Sequence, residues 1–189
     1  MSLIQVSEFR IHIHVSGHNK WTQIKHQKGA ADKKRGLVFS KIIKAITVAA
    51  RKEANPESNP RLRALIERAK KLGVPNDTME RAVKKNEDAK GFEKLTLEAY
   101  GPAGIAFLIT VITDNRNRTI QEIKHLLAEH EGKLAEQGGV RWVFEGEAAK
   151  FPQKIAHADA EKIKKLIRVL EERDDVQKII TTMLLNHES

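Results

Sequence analysis

The hydrophobic period of this chain changes once, near residue 90, and that change constrains the fold more than any other feature. Before it, apolar residues recur every three or four positions. Phe39, Ile42, Ile43, Ile46, Ala49 and Ala50 form one stripe in LVFSKIIKAITVAARK, and Leu62, Leu65, Ile66, Ala69 and Leu72 form another. This is the spacing of amphipathic helices. After it comes TLEAYGPAGIAFLITVITD, in which a Gly-Pro-Ala-Gly turn separates two strand-like runs, the second long and β-branched. The chain therefore reads as α+β, with a helical domain first and a mixed domain second.

Local signals place the elements. Asn59 and Pro60 fit an N-cap and a first helical position, and Gly73 fits a C-terminal stop. Asp77 and Glu80 predict a capping box opening a short helix that turns Met79, Ala82 and Val83 inward. Residues 20–35 predict a separate, weak helix in which Gly29 costs about 1 kcal/mol relative to alanine. In the second half, RTIQEIKHLLAEHEG predicts a helix with Ile120, Ile123, Leu126 and Leu127 inward and Thr119 and Glu122 as its capping box. GVRWVFE predicts a strand with Val140, Trp142 and Phe144 on one face, and residues 149–157 predict another. ADAEKIKKLIRVLEERD predicts a helix burying Ile163, Leu166, Ile167 and Leu170, Asp174 and Asp175 a polar turn, and DVQKIITTMLL a closing strand. From Gly104 onward the order is β-α-β-β-α-β, the split βαβ or ferredoxin-like order, preceded by an extra strand at 96–100.

Charge is segregated. Of a formal net charge of +9, residues 16–90 supply +11, residues 91–189 supply −2, and residues 1–15 cancel. Such asymmetry points to a nucleic-acid-facing module joined to a near-neutral one. The densest stretch is SGHNKWTQIKHQKGAADKKRG, with Lys20, Lys25, Lys28, Lys33, Lys34 and Arg35 against a single Asp32. It has little apolar surface of its own, and such segments order against a polyanion. His18 and His26 can donate to phosphates. Trp21 can stack on a base, although it shares a helical face with Ile24 and so also suits an anchor. Lys41 and Lys44, on the polar side of the next helix, and Arg61 and Arg63, on the third, extend the cationic set. TDNRNRT joins a strand to a helix N-terminus, where free N–H groups favour anions. Arg116 and Arg118 add forked donors there, while Asp114 and Asn117 could equally tie the loop to itself.

Other classes are poorly served. The chain has no cysteine, which excludes disulfides and thiolate metal sites. No Walker motif, G-x-G-x-x-G or metal-spaced His and carboxylate set is present, so no enzyme activity, cofactor, metal or small-molecule substrate is expected. His12 and His14 could share a strand face but lack a third ligand, and His125 and His130 face differently on a helix. No apolar run approaches the roughly 18 residues of a membrane helix. MSLIQVSEFRIHIHV lacks the pattern of a signal peptide, and Glu8 with a single Arg10 argues against a mitochondrial presequence. A cytoplasmic protein without a membrane partner is expected.

GHNKWTQIKHQKGAADKKRG, NPRLRALIERAK, YGPAGIAFLI, TDNRNRT and ERDDVQKI, taken together and in this order, resemble the YebC/PmpR family. The resemblance implies three domains, one helical and two α/β, the last inserted into the middle one. This chain departs from that plan, passing from GGVRWVFE through GEAAKFPQKIAHA straight to DAEKIKKLIRVLEERDDVQKI, so the inserted domain is missing. Family chains begin one residue before the matching SGH. A start at Val15, read from a GTG codon, is therefore expected, with residues 1–14 an artefact. The expected domains are an extension at 1–15, a basic helical domain at 16–90 and a ferredoxin-like domain at 91–189. The resemblance implies a DNA-binding transcriptional regulator. It equally implies a translation factor at the ribosome, binding ribosomal or messenger RNA, as mitochondrial relatives activate translation of cytochrome oxidase mRNA. A protein-interaction adaptor is the third class.

Overall fold

Residues 20–85 and 91–184 are described by a computed structural model, the first twelve of them as backbone alone. A single helix, α1 (Lys20–Ala50), replaces the two expected over this stretch. Gly29 and Gly36 lower propensity but keep their N–H donors, so neither interrupts the ladder. Once a packed C-terminal half has nucleated the helix, each further residue adds a bond at little cost. The chain divides between Lys34 and Arg35 into two compact units.

In the second unit, the end of α1 packs with α2 (Pro60–Lys71) and α3 (Asn76–Lys84) around Ile46, Leu62, Ala69, Met79 and Ala82. The Asn59 side chain caps α2 as expected, accepting the Leu62 N–H at 3.0 Å, and its amide ties back to the Ala49 and Glu53 carbonyls. Gly73 ends the turn after α2 with φ of +79°, a backbone region that favours glycine. The expected Asp77–Glu80 capping box does not form. Pro75 occupies the N-cap without a side-chain bond, and Asp77 falls inside the first turn, where its charge still opposes the helix dipole.

The remaining elements build a four-stranded antiparallel sheet, a separate two-stranded pair and two helices. They are β1 (Glu93–Tyr100), β2 (Ala106–Thr113), α4 (Arg116–Glu129), β3 (Lys133–Leu134), β4 (Phe144–Glu145), β5 (Ala148–Ala149), α5 (His157–Glu171) and β6 (Val176–Thr181), with sheet order β3-β1-β2-β6. β1 and β2 pair along their full lengths, from Glu93 opposite Thr113 to Tyr100 opposite Ala106. Phe107, Ile109 and Val111 point to one face and meet Ile123 and Leu127 of α4 and Ile163, Leu166 and Leu170 of α5.

The α+β class and the split βαβ arrangement match expectation, but a different strand completes it. β1, read from sequence as an extra strand, sits in the middle of the sheet between β2 and β3. The strand expected over GVRWVFE is instead a 3₁₀ turn, Arg141–Val143, leading into the two-residue pair of β4 and β5. Beyond Ala149 the strand expected to residue 157 is reduced to one bridge, Gln153 with Met183. The physical reason is Glu98. Its carboxylate accepts the N–H groups of Gly138, Val140 and Arg141 at 2.8–2.9 Å, so these donors are not offered to a ladder. Val140 and Phe144 still turn inward, against Ala106 and Leu108 on the second sheet face, whereas Trp142 is 64% exposed.

The β1–β2 turn explains one glycine. A Cβ on Gly101 would stand 2.4 Å from Cε2 of Phe107, whose ring is fully buried. Gly101→Ala is expected to cost about 1–3 kcal/mol through overpacking, read as a lowered urea midpoint with an unchanged slope.

Candidate nucleic-acid interface

The cations singled out from sequence separate into three groups. Lys33, Lys34 and Arg35 are exposed on α1, and the Arg35 guanidinium lies 5.2 Å above the Phe39 ring. Lys20, Trp21, Lys25, His26 and Lys28 fall on the helical backbone of α1, with side chains outside the described set. His18 lies outside the described residues, as do His12, His14 and the segment 1–15.

Lys41 and Lys44 form the second group, and here the structure corrects the sequence reading. The helical pattern leaves both for solvent or a ligand. Lys44 is buried, 8% exposed, and its ammonium donates to Asp174 Oδ2 at 2.7 Å and Asp175 Oδ1 at 2.5 Å. Lys41 is half-buried and donates to the Glu171 carbonyl at 2.6 Å. Asp175 is 3% exposed, so the expected polar turn is a buried acceptor. Its other oxygen receives the Thr119 hydroxyl at 2.7 Å, and that hydroxyl lies 2.8 Å from the hydroxyl of Thr113. Burial pushes the Asp174 carboxyl up, but the Lys44 ammonium and Ser40 hydroxyl outweigh this and hold it below its ordinary value. The helical and α/β parts are thus joined by a desolvated ion pair with its remaining lone pairs satisfied. No motif announces it; a lysine facing the apolar stripe of α1 is the one available signal.

The third group is the TDNRNRT loop with Arg61 and Arg63. Asn115, not Asn117, caps α4, accepting the Arg118 N–H at 3.1 Å. The expected Thr119–Glu122 box is absent because Thr119 is buried against Asp175 and Glu122 pairs with Arg173. Arg118 meets Asp114 at 2.7 Å and approaches Asp175 at 3.7 Å, while Arg116 stands 3.9 Å from Glu93. Both arginines keep about half of their side chains in solvent, so the loop is tied to its own carboxylates with guanidinium surface left over. Arg63 donates to the Pro56 and Glu57 carbonyls and braces the preceding loop. Arg61 is exposed and lies near Lys94, whose ammonium is pushed down by burial and by Arg61. Thr96, Thr110 and Lys178 share a row of the sheet beside Lys94. Lys94 and Lys178 lie in the half with net negative charge, so the charge partition passed over them; the alternation of β1 is the signal that could have found Lys94.

Glu98, likewise missed, organises the loop over the second sheet face. Burial pushes its carboxyl up, yet three backbone N–H donors more than offset this and hold it below the usual range. Glu98→Gln is expected to cost about 2 kcal/mol and to speed hydrogen exchange at Gly138, Val140 and Arg141. Because the folded value is depressed, this contribution is complete above the unfolded value of roughly 4.3 and is lost as pH falls through the folded one. Among the described residues no group of three His, Asp or Glu side chains is placed to hold a metal ion. No helix there is long and apolar enough to cross a membrane.

Comparison with known proteins adds to this geometry. The family model described as the TACO1/YebC protein N-terminal domain matches residues 19–89, and that described as the TACO1/YebC second and third domain matches residues 92–149. A "probable transcriptional regulatory protein" of Thermosipho melanesiensis is 38% identical over 232 residues, covering 87% of this chain and 92% of the relative. That stretch is longer than the 189-residue chain, so the relative carries residues without a counterpart here. A protein of the same description from Petrotoga mobilis is 53% identical over 135 residues, 69% of this chain but 54% of the relative; against such relatives the chain matches about half their length. The crystal structure of a conserved hypothetical protein from Aquifex aeolicus superposes with a TM-score of 0.77 at 31% identity, covering 89% of this chain and 98% of that one.

Proposed function

The chain belongs to the TACO1/YebC family, and from that premise we propose that it regulates gene expression by binding nucleic acid mainly through phosphates. The observation that carries this reading is the charge partition, +11 in residues 16–90 against −2 in residues 91–189, together with the exposed triplet Lys33, Lys34 and Arg35. Three consecutive cations within a single helical turn match a polyanion better than a single base edge. Residues 16–90 carry the affinity in this reading, and Lys44 and Lys41 serve the fold instead. The names of the relatives, probable transcriptional regulatory proteins, support transcription as the setting.

A second setting, structured RNA at the ribosome, is kept because one observation weighs against base reading by a helix in a DNA groove. α2 and α3 follow each other closely, but the early turns of α3 expose Asp77 and Glu80. The N-terminal residues of a recognition helix face base edges between two phosphate ribbons, and carboxylates there have the wrong sign. Affinities for duplex DNA and for a structured ribosomal RNA fragment at the same salt, with ribosome co-sedimentation, separate the two. Steeply salt-dependent binding to either supports nucleic-acid regulation, and binding to neither overturns it.

A further inference from the structure

The two most exposed large apolar side chains among the described residues lie together. Trp142 is 64% exposed and Phe151 is 60% exposed, with ring centroids 6.2 Å apart and planes tilted by 54°. Both line a groove of about 430 Å³ whose walls include Tyr100, Val140, Gln153 and Thr182. The indole is fixed in place: its Nε1–H donates to the Gly139 carbonyl at 3.1 Å, and the same carbonyl accepts the Tyr100 hydroxyl at 3.0 Å. Glu98 in turn holds the Gly138–Arg141 backbone beneath it. A rigid, oriented indole left in water costs hydration free energy and contributes nothing to the core.

The surrounding charge says what suits this groove. Each exposed ring is preceded in the chain by an exposed cation, Arg141 before Trp142 and Lys150 before Phe151. Lys133 lies 5.9 Å from the Tyr100 ring centre, and Lys154 is exposed one residue beyond the wall residue Gln153. Flat aromatic faces interleaved with cations are the chemistry of single-stranded nucleic acid, whose bases stack while the phosphates beside them are neutralised. A duplex hides those base faces. An apolar protein surface would be served by the rings alone, whereas a polyanion also uses the exposed cations beside them in the chain.

We propose that the Trp142–Phe151 groove receives unstacked bases of a single-stranded nucleic acid, with Arg141, Lys150 and Lys154 on the flanking phosphates. The site rests on the nucleic-acid reading above and gives the α/β half a share in it: α1 supplies phosphate attraction, and this groove supplies contact with bases. The sheet itself takes no part; the platform is the loop that Glu98 holds over it.

The test uses the full chain and four probes of equal length: oligouridylate, oligothymidylate, an abasic single strand, and a duplex. Trp142→Leu and Phe151→Leu keep apolar bulk and remove the π face; Trp142→Phe keeps a ring. Each leucine variant is expected to bind oligouridylate and oligothymidylate roughly 5- to 100-fold more weakly, the effect of losing one stacked base, with the salt slope unchanged. Trp142→Phe should recover most of the affinity, and all variants should bind the abasic strand and the duplex like the parent. The Trp142 indole N–H resonance, assigned by its loss in Trp142→Leu, should shift on adding either oligonucleotide with bases and not on adding the abasic strand. A difference between the uridylate and thymidylate losses tells RNA from DNA. Leucine variants that bind the base-bearing strands as tightly as the parent overturn the proposal and leave the rings to a protein partner. Equal losses on the abasic strand overturn it as well. A parent that binds none of the four probes defeats the nucleic-acid reading together with the site, and is distinguished from the other failures by that parent measurement.

Discussion

Replacing Lys44 by methionine is expected to destabilise the protein by about 3–5 kcal/mol. The ammonium is the cation between two carboxylates, one of them 3% exposed, and methionine removes the charge while keeping the length of the side chain. Asp175 then remains buried, with one oxygen on Thr119 and 3.7 Å from Arg118 and the other without its cation. Removing one partner of a desolvated pair costs far more than removing both. Lys44→Met/Asp175→Asn is therefore expected to be more stable than Lys44→Met alone, because asparagine carries no charge and can still accept from Thr119. Urea denaturation of the parent, the single variants and the double variant reads this directly. A loss below about 1 kcal/mol for Lys44→Met would mean that water reaches the pair. The pH dependence follows from Asp174, whose carboxyl is held below its ordinary value. Its contribution is complete above the unfolded value of about 3.9 and is lost as pH falls through the lower folded value. Excising residues 91–189 removes Lys44 as well, so that fragment is expected to melt below the full chain.

The second large effect is on binding. Converting Lys33, Lys34 and Arg35 together to alanine removes three exposed cations from consecutive positions of α1. Alanine is a good helix former, so the melting temperature should move little. Affinity for nucleic acid should fall for every sequence by a similar factor. The slope of log affinity against log salt should become shallower by roughly 0.7–0.9 for each phosphate no longer neutralised. Fluorescence anisotropy over a salt series measures both quantities. An unchanged slope would show these side chains to be a solvated face. Loss confined to one sequence would point to base reading and to an operator. Arg116→Ala and Arg118→Ala are expected to act differently, because both guanidiniums already meet carboxylates and each has only part of its surface to offer.

Much of this molecule was legible along the chain because its causes are local. The 3.6-residue stripes of α1, α2 and α5, the Asn59 cap, the break at Gly73 and the β-branched run of β2 each follow from neighbouring residues, and each stands where the pattern puts it. The segregated charge is likewise a property of sequence alone. What the tertiary structure decided depends on partners distant in sequence. Lys44 meets Asp175 across 131 positions, Glu98 reaches Val140 across 42, and Thr119 meets Asp175 across 56. Periodicity assigns a lysine to water because an isolated charge belongs there; it carries no information about a carboxylate delivered by another element. GVRWVFE alternates as a strand should, yet three of the nearby N–H groups go to the Glu98 carboxylate, and the strand gives way to a 3₁₀ turn that leaves Trp142 in water. Alternation determined which of its side chains are apolar, and a buried anion on β1 determined where the backbone could go.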